Sequence, residues 1–569
     1  MGVADERQQL LPVVCEGLAS NATCYDSVWK PAPVASPRNS ANQLESGALR
    51  VGTPPRLLSR DVLGLLAQYA GIGFVSGVLP ALIYPLLQGY LNAEGTTVIS
   101  ANVLVHLPWS YKVFFGILSD CFPVAGYRRR SYMVLGWALC CCMLFRIASF
   151  PNTAPYYGDP TMHTINPDQW TEAQRESINH NAPDAAGEYV IPMTLAAFGY
   201  LLAEVPADAI VVEYAQREPA TTRGRLQSCI HGVRMSFHAL GAFVVAIAFN
   251  GVEYGGSFDF SLSFPQMMFI LGCLSIPLAP AAWCLVREEE VQPPKFSVYI
   301  SRFWQILQQR AVCQLVAYDF LSGVFNNFNP VACSNIKLYW VHATPFNASI
   351  MAIVGTFVYT GTLGVMAQRG LSWNWRTVIA VTVLFGIFAD SIMTMLVTWD
   401  IVRNQWLWLG VPIIVYIPHA VQFIVDNYVI VELVELGSEG ALFGLLSTTT
   451  HVATPFGRTA AKLINAHFHV WKDDILADTY TTRRDVTVTI LICYGMKLVA
   501  LVFLPLLPTQ KAATQELRRY GGVNRRMGLC MVGVLLLALA WSTTVNLLSM
   551  NPHTKCWAIA GGCAPKHGL

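Results

Sequence analysis

Long apolar stretches alternate with short polar segments over most of the chain. A transmembrane helix needs about 20 consecutive apolar residues, and stretches of this kind follow one another from residue 62 to residue 507. Six lie in the first half, at residues 62–90, 99–119, 131–150, 189–215, 226–250 and 264–286. Six more lie in the second half, at residues 311–340, 347–367, 377–397, 406–434, 441–467 and 486–507. The pattern predicts an all-α polytopic membrane protein with 6+6 transmembrane helices in two pseudo-symmetric bundles.

The polar segments between these stretches predict the domain organisation. Residues 1–55 mix Ser, Asn, Pro and charge without periodicity, which indicates a disordered cytoplasmic arm. The bundles are then expected at 56–286 and 311–508, separated by a cytoplasmic linker at 287–310. This linker contains an acidic run, REEE, and the amphipathic segment SVYISRFWQILQQ, which is typical of a helix on a membrane surface.

The C-terminal part of the chain goes beyond this plan. A basic cytoplasmic segment at 509–526 precedes an apolar stretch at 527–550, which predicts a thirteenth transmembrane helix. The tail at 551–569 is then expected to be extracellular, and its Cys556 and Cys563 are spaced for a disulfide.

Composition excludes several other classes of protein. The chain is 54% hydrophobic and 13% charged, with a mean hydropathy of +0.43, which is too apolar for a soluble domain. The formal net charge of +2 argues against a nucleic-acid partner. The 15 cysteines lack metal-ligand spacing, so no metal is expected. Neither a nucleotide-binding loop nor a cluster of nucleophile, base and orienting residue is present, so we expect neither a cofactor nor an enzyme.

Residues 116–130, GILSDCFPVAGYRRR, predict a tight hairpin between two transmembrane helices. Arginine concentrates in short cytoplasmic loops, so Arg128, Arg129 and Arg130 place this loop inside the cell and fix the orientation of the other spans. Asp120 lies where a helix leaves the membrane. We expect it to pair with Arg128 or Arg129, or with the N-terminus of a neighbouring helix.

The hairpin resembles the loop between the second and third helices of major facilitator transporters. The sequence SDCFPVAGYRRRSY is more specifically similar to the folate-biopterin transporter family within that superfamily. The resemblance implies a major facilitator fold, a multi-pass location in the plasma membrane and secondary active transport of folate or biopterin-type pteridines, with protons as the expected coupling ion. It also implies a gating motif formed by Gly116, Asp120 and Arg128–Arg130. An S-adenosylmethionine carrier of the same family and a non-transporting receptor on this fold remain open.

Ionisable side chains inside the predicted spans are costly, and they normally face a cavity or a partner. Glu204 and Asp208 are one helical turn apart, and we expect one of these two carboxylates to carry the coupling proton. The family resemblance assigns other polar and aromatic positions to the central cavity. The predicted substrate-binding residues are Arg234, His238, Asp319, Phe325, Asn326, Phe328, Asp426, Arg458 and Lys462.

The chemistry of the expected substrate guides these assignments. A carboxylate accepts the adjacent N–H donors of a pterin ring, aromatic side chains cover its flat face, and Arg458 is suited to the glutamate tail of folate. Each charged residue taken singly is equally compatible with an ion pair between helices. That is the favoured interpretation for Asp390 and Lys497. The expected partners are therefore a small-molecule substrate and the lipid bilayer, for a chain that acts as a monomer.

Overall fold

The structure is a computed structural model that describes residues 47–57, 59–93, 95–150, 153–163, 170–290, 292, 294–330, 332–343, 345–435, 437–465, 467–470, 472–550 and 554. Most of the predicted N-terminal arm lies outside the described residues. The predicted C-terminal tail, including Cys556 and Cys563, also lies outside them, apart from Thr554.

Helices make up nearly all of the described chain, in which β pairing is limited to isolated bridges. We number the α-helices in chain order: α1 Arg60–Ile83, α2 Gly95–His106, α3 Lys112–Cys121, α4 Arg130–Ala148, α5 Glu172–Glu176, α6 Ala186–Gln216, α7 Arg225–Ala248, α8 Phe264–Ser275, α9 Leu278–Leu285, α10 Phe296–Leu307, α11 Arg310–Asn326, α12 Ala332–Asn335, α13 Pro345–Gln368, α14 Trp375–Thr398, α15 Gln405–Leu433, α16 Glu439–Asn465, α17 Lys472–Ala477, α18 Tyr480–Val502, α19 Lys511–Tyr520 and α20 Arg525–Met550.

Several helices begin at side chains that cap their free N–H groups. The Ser263 side chain accepts a hydrogen bond from the Gln266 backbone, and the Gln266 side chain accepts one from the Ser263 backbone, which together form a capping box before α8. The Asn374 side chain accepts from the backbone at the start of α14, and Thr479 does the same at α18. These polar positions therefore set where the apolar stretches become helical.

Ten helical segments in the described chain are long and apolar enough to cross a membrane. The predicted second, seventh and eleventh spans are not among them. In the second, a 3-10 turn at Leu107–Tyr111 that contains Pro108 separates α2 from α3. The seventh is interrupted between α11 and α12, beside Pro330. The eleventh corresponds to the continuous but more polar α16. The multi-pass architecture is confirmed, whereas the count of twelve helices plus one stays a prediction.

Two large apolar clusters organise the packing. One is formed by residues between Val62 and Val286, where α1 packs on α7 and α4 packs on α6. The other is formed mainly by residues after Tyr299, where α13 and α14 pack on α15, and α11 packs on α16. We call the chain up to α9 the first half and the chain from α11 to α18 the second half. The halves meet along α7 with α13 and along α3 with α16.

The contact between α3 and α16 depends on glycines. A Cβ added to Gly116 would lie 2.2 Å from the carbonyl oxygen of Gly440, and one added to Gly444 would lie 2.5 Å from the carbonyl oxygen of Lys112. Backbone atoms do not move aside as a flexible side chain does, so only glycine allows the two halves to approach this closely.

Helix α20 contacts both halves of the molecule. It packs on α2 of the first half and on α11 and α16 of the second half. The Thr543 and Tyr111 hydroxyls are 2.9 Å apart, while Ala538 and Leu539 pack against Val452. The described part of the predicted thirteenth helix therefore lies where the two halves meet.

The glycine contact generates a stability prediction. Gly116→Ala should lower the melting temperature of the purified protein, because the added methyl group forces α3 and α16 apart at a cost of about 1–3 kcal/mol. Gly364→Ala is the matched control, since a Cβ at Gly364 meets nothing within 4 Å. Thermal unfolding in detergent measures both variants. Equal melting temperatures would show that the close approach contributes nothing to stability.

Candidate functional site

A buried ion-pair cluster joins the two halves beside the arginine-rich hairpin. Asp120 Oδ1 lies 2.6 Å from Arg129 Nη1, and Arg129 Nη2 lies 3.2 Å from Glu439 Oε2. Asp120 Oδ2 accepts hydrogen bonds from the Ala441 backbone N–H at 3.1 Å, and from the Tyr299 hydroxyl at 2.9 Å. We call Asp120, Arg129 and Glu439 the inner cluster, because the hairpin marks the predicted inner face. Asp120 thus makes two of its predicted contacts, with Arg129 and with the N-terminus of α16.

The other two arginines of the hairpin have different surroundings. The backbone N–H groups of Arg128, Arg129 and Arg130 all donate to the carboxylate of Glu288, at 2.9–3.0 Å. The Arg130 guanidinium lies over the rings of Tyr127 and Trp283. Glu288 therefore satisfies the free N–H groups at the start of α4, and Arg130 is held by aromatic contacts.

A second set of contacts closes the same face. Arg223, in the loop before α7, binds both carboxylate oxygens of Glu432 at 2.7 and 2.9 Å. The Gln216 side chain donates to the carbonyl oxygens of Val431 and Val434 at 3.1 and 3.0 Å. Both interactions cross from the first half to the second. Helix α19 adds to this closure, because Lys511 donates to the carbonyl oxygens of residues 220 and 223.

Burial and charge interact in this loop. Glu218 accepts hydrogen bonds from the backbone N–H groups of Gly224 and Leu226, at the start of α7. Its burial raises the pKa of the carboxyl group to about 7. Burial likewise lowers the pKa of Lys511 to about 8. Both groups therefore titrate near neutral pH, at the edge of the closed face.

A second ion cluster lies inside the first half. Lys112 Nζ is 3.0 Å from Glu204 Oε1 and 3.1 Å from Asp208 Oδ2. Arg234 Nη2 is 3.4 Å from the same Glu204 oxygen, and the Tyr69 hydroxyl donates to Asp208 at 2.5 Å. We call Lys112, Glu204, Asp208 and Arg234 the central cluster. Two acids and two bases from α3, α6 and α7 therefore compensate one another.

The central cluster keeps free polar atoms. Glu204 Oε2 and Arg234 Nε are buried and have no hydrogen-bond partner among the described residues. An aromatic row leads from this cluster to the second half: Tyr69 contacts His231, His231 contacts Phe423, and Phe423 contacts Tyr359, with ring centroids 5.0–6.1 Å apart. Polar groups with unused hydrogen-bonding capacity beside flat aromatic side chains are typical of a ligand site.

The two predicted acids of the second half form no salt bridge with the central cluster in the described chain. Asp319 on α11 is 4% exposed, and neither of its carboxylate oxygens has a hydrogen-bond partner among the described residues. The Gln422 side chain donates to both oxygens of Asp426, at 3.0 and 3.2 Å. Gln422 also lines a cavity in the second half with Asn326, His419 and Lys497. Asn326 thus borders a cavity within the second half, and its predicted role in substrate binding stays a prediction.

The remaining predicted site residues are dispersed. His238 Nδ1 is 3.4 Å from the Ser76 hydroxyl. Phe325 stacks on Phe503, and Phe328 packs against Ala461 and Cys493, so both phenylalanines contact other parts of the second half. Arg458 is exposed and has no salt bridge to a described carboxylate. The side chain of Lys462 lies outside the described part of the chain.

One predicted ion pair is wrong. Asp390 accepts a hydrogen bond from the Tyr494 hydroxyl at 2.8 Å, and no salt bridge within 4.0 Å joins it to Lys497 among the described residues. Lys497 instead lies over the Tyr494 ring and lines the cavity of the second half. Tyr494 lies one turn from Lys497 on α18, so Asp390 on α14 bonds to the expected helix but to a different residue of it.

Sequence reasoning missed several members of these clusters. The predicted site residues do not include Lys112, Tyr69 or Phe423. The sequence did contain a signal for Glu432 and Glu439 as partners of arginine. Acidic residues lie at the end of the fourth span of the second half and just after it, where the first half has arginines. These opposite charges form the salt bridges between the two halves, Arg129 with Glu439 and Arg223 with Glu432.

Comparisons with known proteins place these clusters in context. The model of the BT1 family matches residues 73–158, which include the hairpin. The folate-biopterin transporter of Synechocystis sp. is 23% identical over 79% of this chain and 82% of its own length. Folate transporter 1 of Plasmodium falciparum is 25% identical over 23% of this chain and 27% of its own length.

Solved structures agree on the architecture. The major facilitator proton:xylose symporter XylE matches with a TM-score of 0.52 at 12% identity, over 81% of this chain and 98% of the symporter. These relatives and neighbours are transporters rather than enzymes. The chain is therefore a multi-pass membrane protein with the major facilitator fold, and it is similar in sequence to folate-biopterin transporters, with a BT1 family match over residues 73–158.

Proposed function

We propose that this chain imports folate or biopterin-type pteridines across the plasma membrane by proton-coupled alternating access. The observation that carries the proposal is the central cluster, whose buried charges keep a free acceptor and a free donor in a chain related to folate-biopterin transporters. An apolar interior retains such groups at a cost, and in transporters they mark a substrate pathway.

The chemistry of a pterin ring fits the free atoms of the central cluster. Its amino-pyrimidinone edge presents adjacent N–H donors and a carbonyl oxygen. Glu204 Oε2 is available to accept from the donors, and Arg234 Nε is available to donate to the oxygen. Tyr359 and Phe423 supply flat faces against which the ring stacks. In this proposal, Lys112 holds Glu204 and Asp208 in place while the substrate binds.

Arg458 is the residue through which this chain would distinguish folate from biopterin. Folate carries an anionic glutamate tail that biopterin lacks, and Arg458 has no carboxylate partner of its own in the described chain. It lies close enough to His106 on α2 for the two groups to interact electrostatically. A guanidinium stays charged and binds carboxylates with two parallel hydrogen bonds. We therefore propose that Arg458 binds the folate tail, where the second half faces α2.

Alternating access gives the inner contacts a role. The inner cluster, the Arg223 and Glu432 ion pair and the glycine contact at Gly116 all hold the halves together at the predicted inner face. Release of substrate on that side requires these contacts to separate. We propose that Gly116, Asp120 and Arg129 form the gate, while Arg128 and Arg130 anchor the start of α4.

Competitive uptake is the experiment that tests the substrate proposal. Cells that lack their own pteridine transport, and that express this chain, should accumulate labelled folate or biopterin, and unlabelled pteridines should compete. S-adenosylmethionine should compete poorly. Ligand binding without uptake would identify a receptor, and preferential uptake of S-adenosylmethionine would replace the proposed substrate class.

The gate proposal predicts a loss of turnover. Asp120→Asn should reduce the maximal uptake rate at near-normal surface expression, because it weakens the bond to Arg129 and unbalances the inner cluster. A loss of about 1.5–3 kcal/mol in a charge-assisted hydrogen bond corresponds to about a tenfold effect or more. Glu439→Gln should behave alike, since it acts on the same arginine. Glu290→Gln, at an exposed position near the hairpin, is the control. Unchanged uptake at saturating substrate in both cluster variants would contradict the gate.

The tail proposal predicts a change in selectivity. Arg458→Gln should weaken folate uptake by about 1.5–3 kcal/mol, or roughly ten- to hundredfold in apparent affinity, and leave biopterin uptake nearly unchanged. Paired uptake of the two substrates at matched surface expression measures this difference. Arg146→Gln, at an arginine that lies over Phe150, is the matched control. Equal loss of both substrates would indicate a structural role for Arg458, and loss of neither would remove it from the site.

A further inference from the structure

The second half contains a pair of carboxylates with an unusual environment. Asp319 on α11 is 4% exposed, and neither of its oxygens has a hydrogen-bond partner among the described residues. Asp426 on α15 acts on it electrostatically as a group of like charge. Asp426 is only partly buried. The pair therefore combines a deeply buried, unpartnered acid with a second acid that is more accessible.

The geometry around Asp426 is well defined. The Gln422 side-chain amide donates to both of its oxygens, and Gln422 Oε1 in turn accepts from the Tyr318 hydroxyl at 2.8 Å. Tyr318 precedes Asp319 on α11, so this chain of hydrogen bonds links the two helices that carry the acids. Gln422 also borders the cavity lined by Asn326, His419 and Lys497. The acid pair thus lies beside a polar cavity.

No cation of the described chain forms a salt bridge with Asp319 or Asp426. Lys112 and Arg234 compensate Glu204 and Asp208, whereas no salt bridge within 4.0 Å reaches Asp319 or Asp426 in the described chain. Of the charged and titratable groups around α11, only Asp426 and Tyr318 interact with Asp319. The other titratable groups on the helices around α11 in the described chain are Tyr299 and Arg302 on α10, Tyr416, His419, Tyr428 and Glu432 on α15, Glu439, His451 and Arg458 on α16, Tyr480, Arg483, Arg484, Asp485, Cys493, Tyr494 and Lys497 on α18, Lys511, Glu516, Arg518, Arg519 and Tyr520 on α19, and Arg525, Arg526 and Cys530 on α20.

Electrostatics then favours a proton at this place. A buried carboxylate without a hydrogen bond or a cation costs several kcal/mol, and a neighbouring carboxylate adds repulsion. Two interacting acids relieve both costs when they bind one proton between them. The central cluster has no such need, because its positive charges are supplied by lysine and arginine.

We propose that Asp319, together with Asp426, is the proton-binding site that couples transport to the proton gradient. This proposal rests on the proposed function and concerns its driving ion. It assigns coupling to the second half, whereas the sequence pointed to Glu204 and Asp208 in the first. An Asp319 carboxylate oxygen takes a proton from hydronium outside, leaving water, and later returns that proton to water inside. No heavy-atom bond or oxidation state changes in this step.

The test separates net uptake from exchange. Net uptake under a proton gradient requires proton release and rebinding, whereas exchange of internal for external pteridine requires only that the loaded carrier reorients. Asp319→Asn mimics the protonated acid permanently. In vesicles with the purified protein, it should retain exchange, and the ratio of net uptake at acidic to neutral outside pH should fall to about one. Asp319→Glu, which keeps a titratable group, should restore acid stimulation.

Two matched variants make the result specific. Asp390→Asn alters another aspartate of the second half, one that is hydrogen-bonded to Tyr494, and it should leave acid stimulation unchanged. Glu204→Gln should reduce pteridine binding but preserve the pH ratio of the remaining uptake. Intact acid stimulation of net uptake in Asp319→Asn would overturn the proposal. Loss of acid stimulation in Glu204→Gln would overturn it as well. Loss of both exchange and uptake in Asp319→Asn would also overturn it, because Asp319 would then be needed for more than the proton.

The wild-type protein separates this proposal from the broader one. If wild-type uptake of pteridines is driven by sodium, or is insensitive to the proton gradient, proton coupling itself fails. If the wild type transports no pteridine, the proposed substrate class fails. If wild-type uptake is driven by protons and Asp319→Asn keeps the same pH response, then only the assignment of the proton site to Asp319 fails.

Discussion

The cost of burying charge in an apolar interior governs this structure. Each charged group inside the bundles needs a cation, an anion or a proton nearby. Asp120 and Glu439 share Arg129 at the predicted inner face, and Glu204 and Asp208 share Lys112 further inside. The helices that carry these groups are thereby fixed relative to one another, because moving either partner alone would leave an uncompensated charge. The interactions that position the helices are therefore the ones that resist their movement.

The two halves use this constraint asymmetrically. Arginines of the first half meet acids of the second, as Arg129 meets Glu439 and Arg223 meets Glu432. A conformational change that opens this face must therefore expose both members of each pair to water together, which makes their separation much less costly than breaking them in a dry interior. Water entry and the parting of the halves are thus the same event. The close backbone approach at Gly116 leaves no room for a side chain between α3 and α16 on this face.

The sequence was sufficient for the fold class and for much of the local structure. Hydrophobic length predicted most spans. The hairpin motif predicted that Asp120 would pair with Arg128 or Arg129, or with a helix N-terminus, and Asp120 contacts Arg129 and the N-terminus of α16. The sequence did not predict the helix breaks beside Pro108 and Pro330. These breaks divide two predicted spans, but the spans stay apolar enough on average to be read as continuous. The sequence also failed for partners distant along the chain. Asp390 on α14 was predicted to pair with Lys497 on α18, but its partner is Tyr494, one turn from Lys497 on that helix. Helical spacing gives the face on which a residue lies and not the identity of its nearest neighbour.

Helix α20 adds a constraint that the two-bundle plan does not include. It contacts α2 in the first half and α11 and α16 in the second. In the proposed alternating access, it cannot remain fixed to both halves when they separate. Its contacts differ in kind. With the second half it packs aliphatic side chains, Ala538 and Leu539 against Val452, which slide with little cost, whereas Thr543 and Tyr111 of the first half are within hydrogen-bond distance, a directional contact. A rocking motion that preserves this hydrogen bond carries α20 with the first half and moves it across α16. The extra helix then covers the changing boundary between the halves without holding them together.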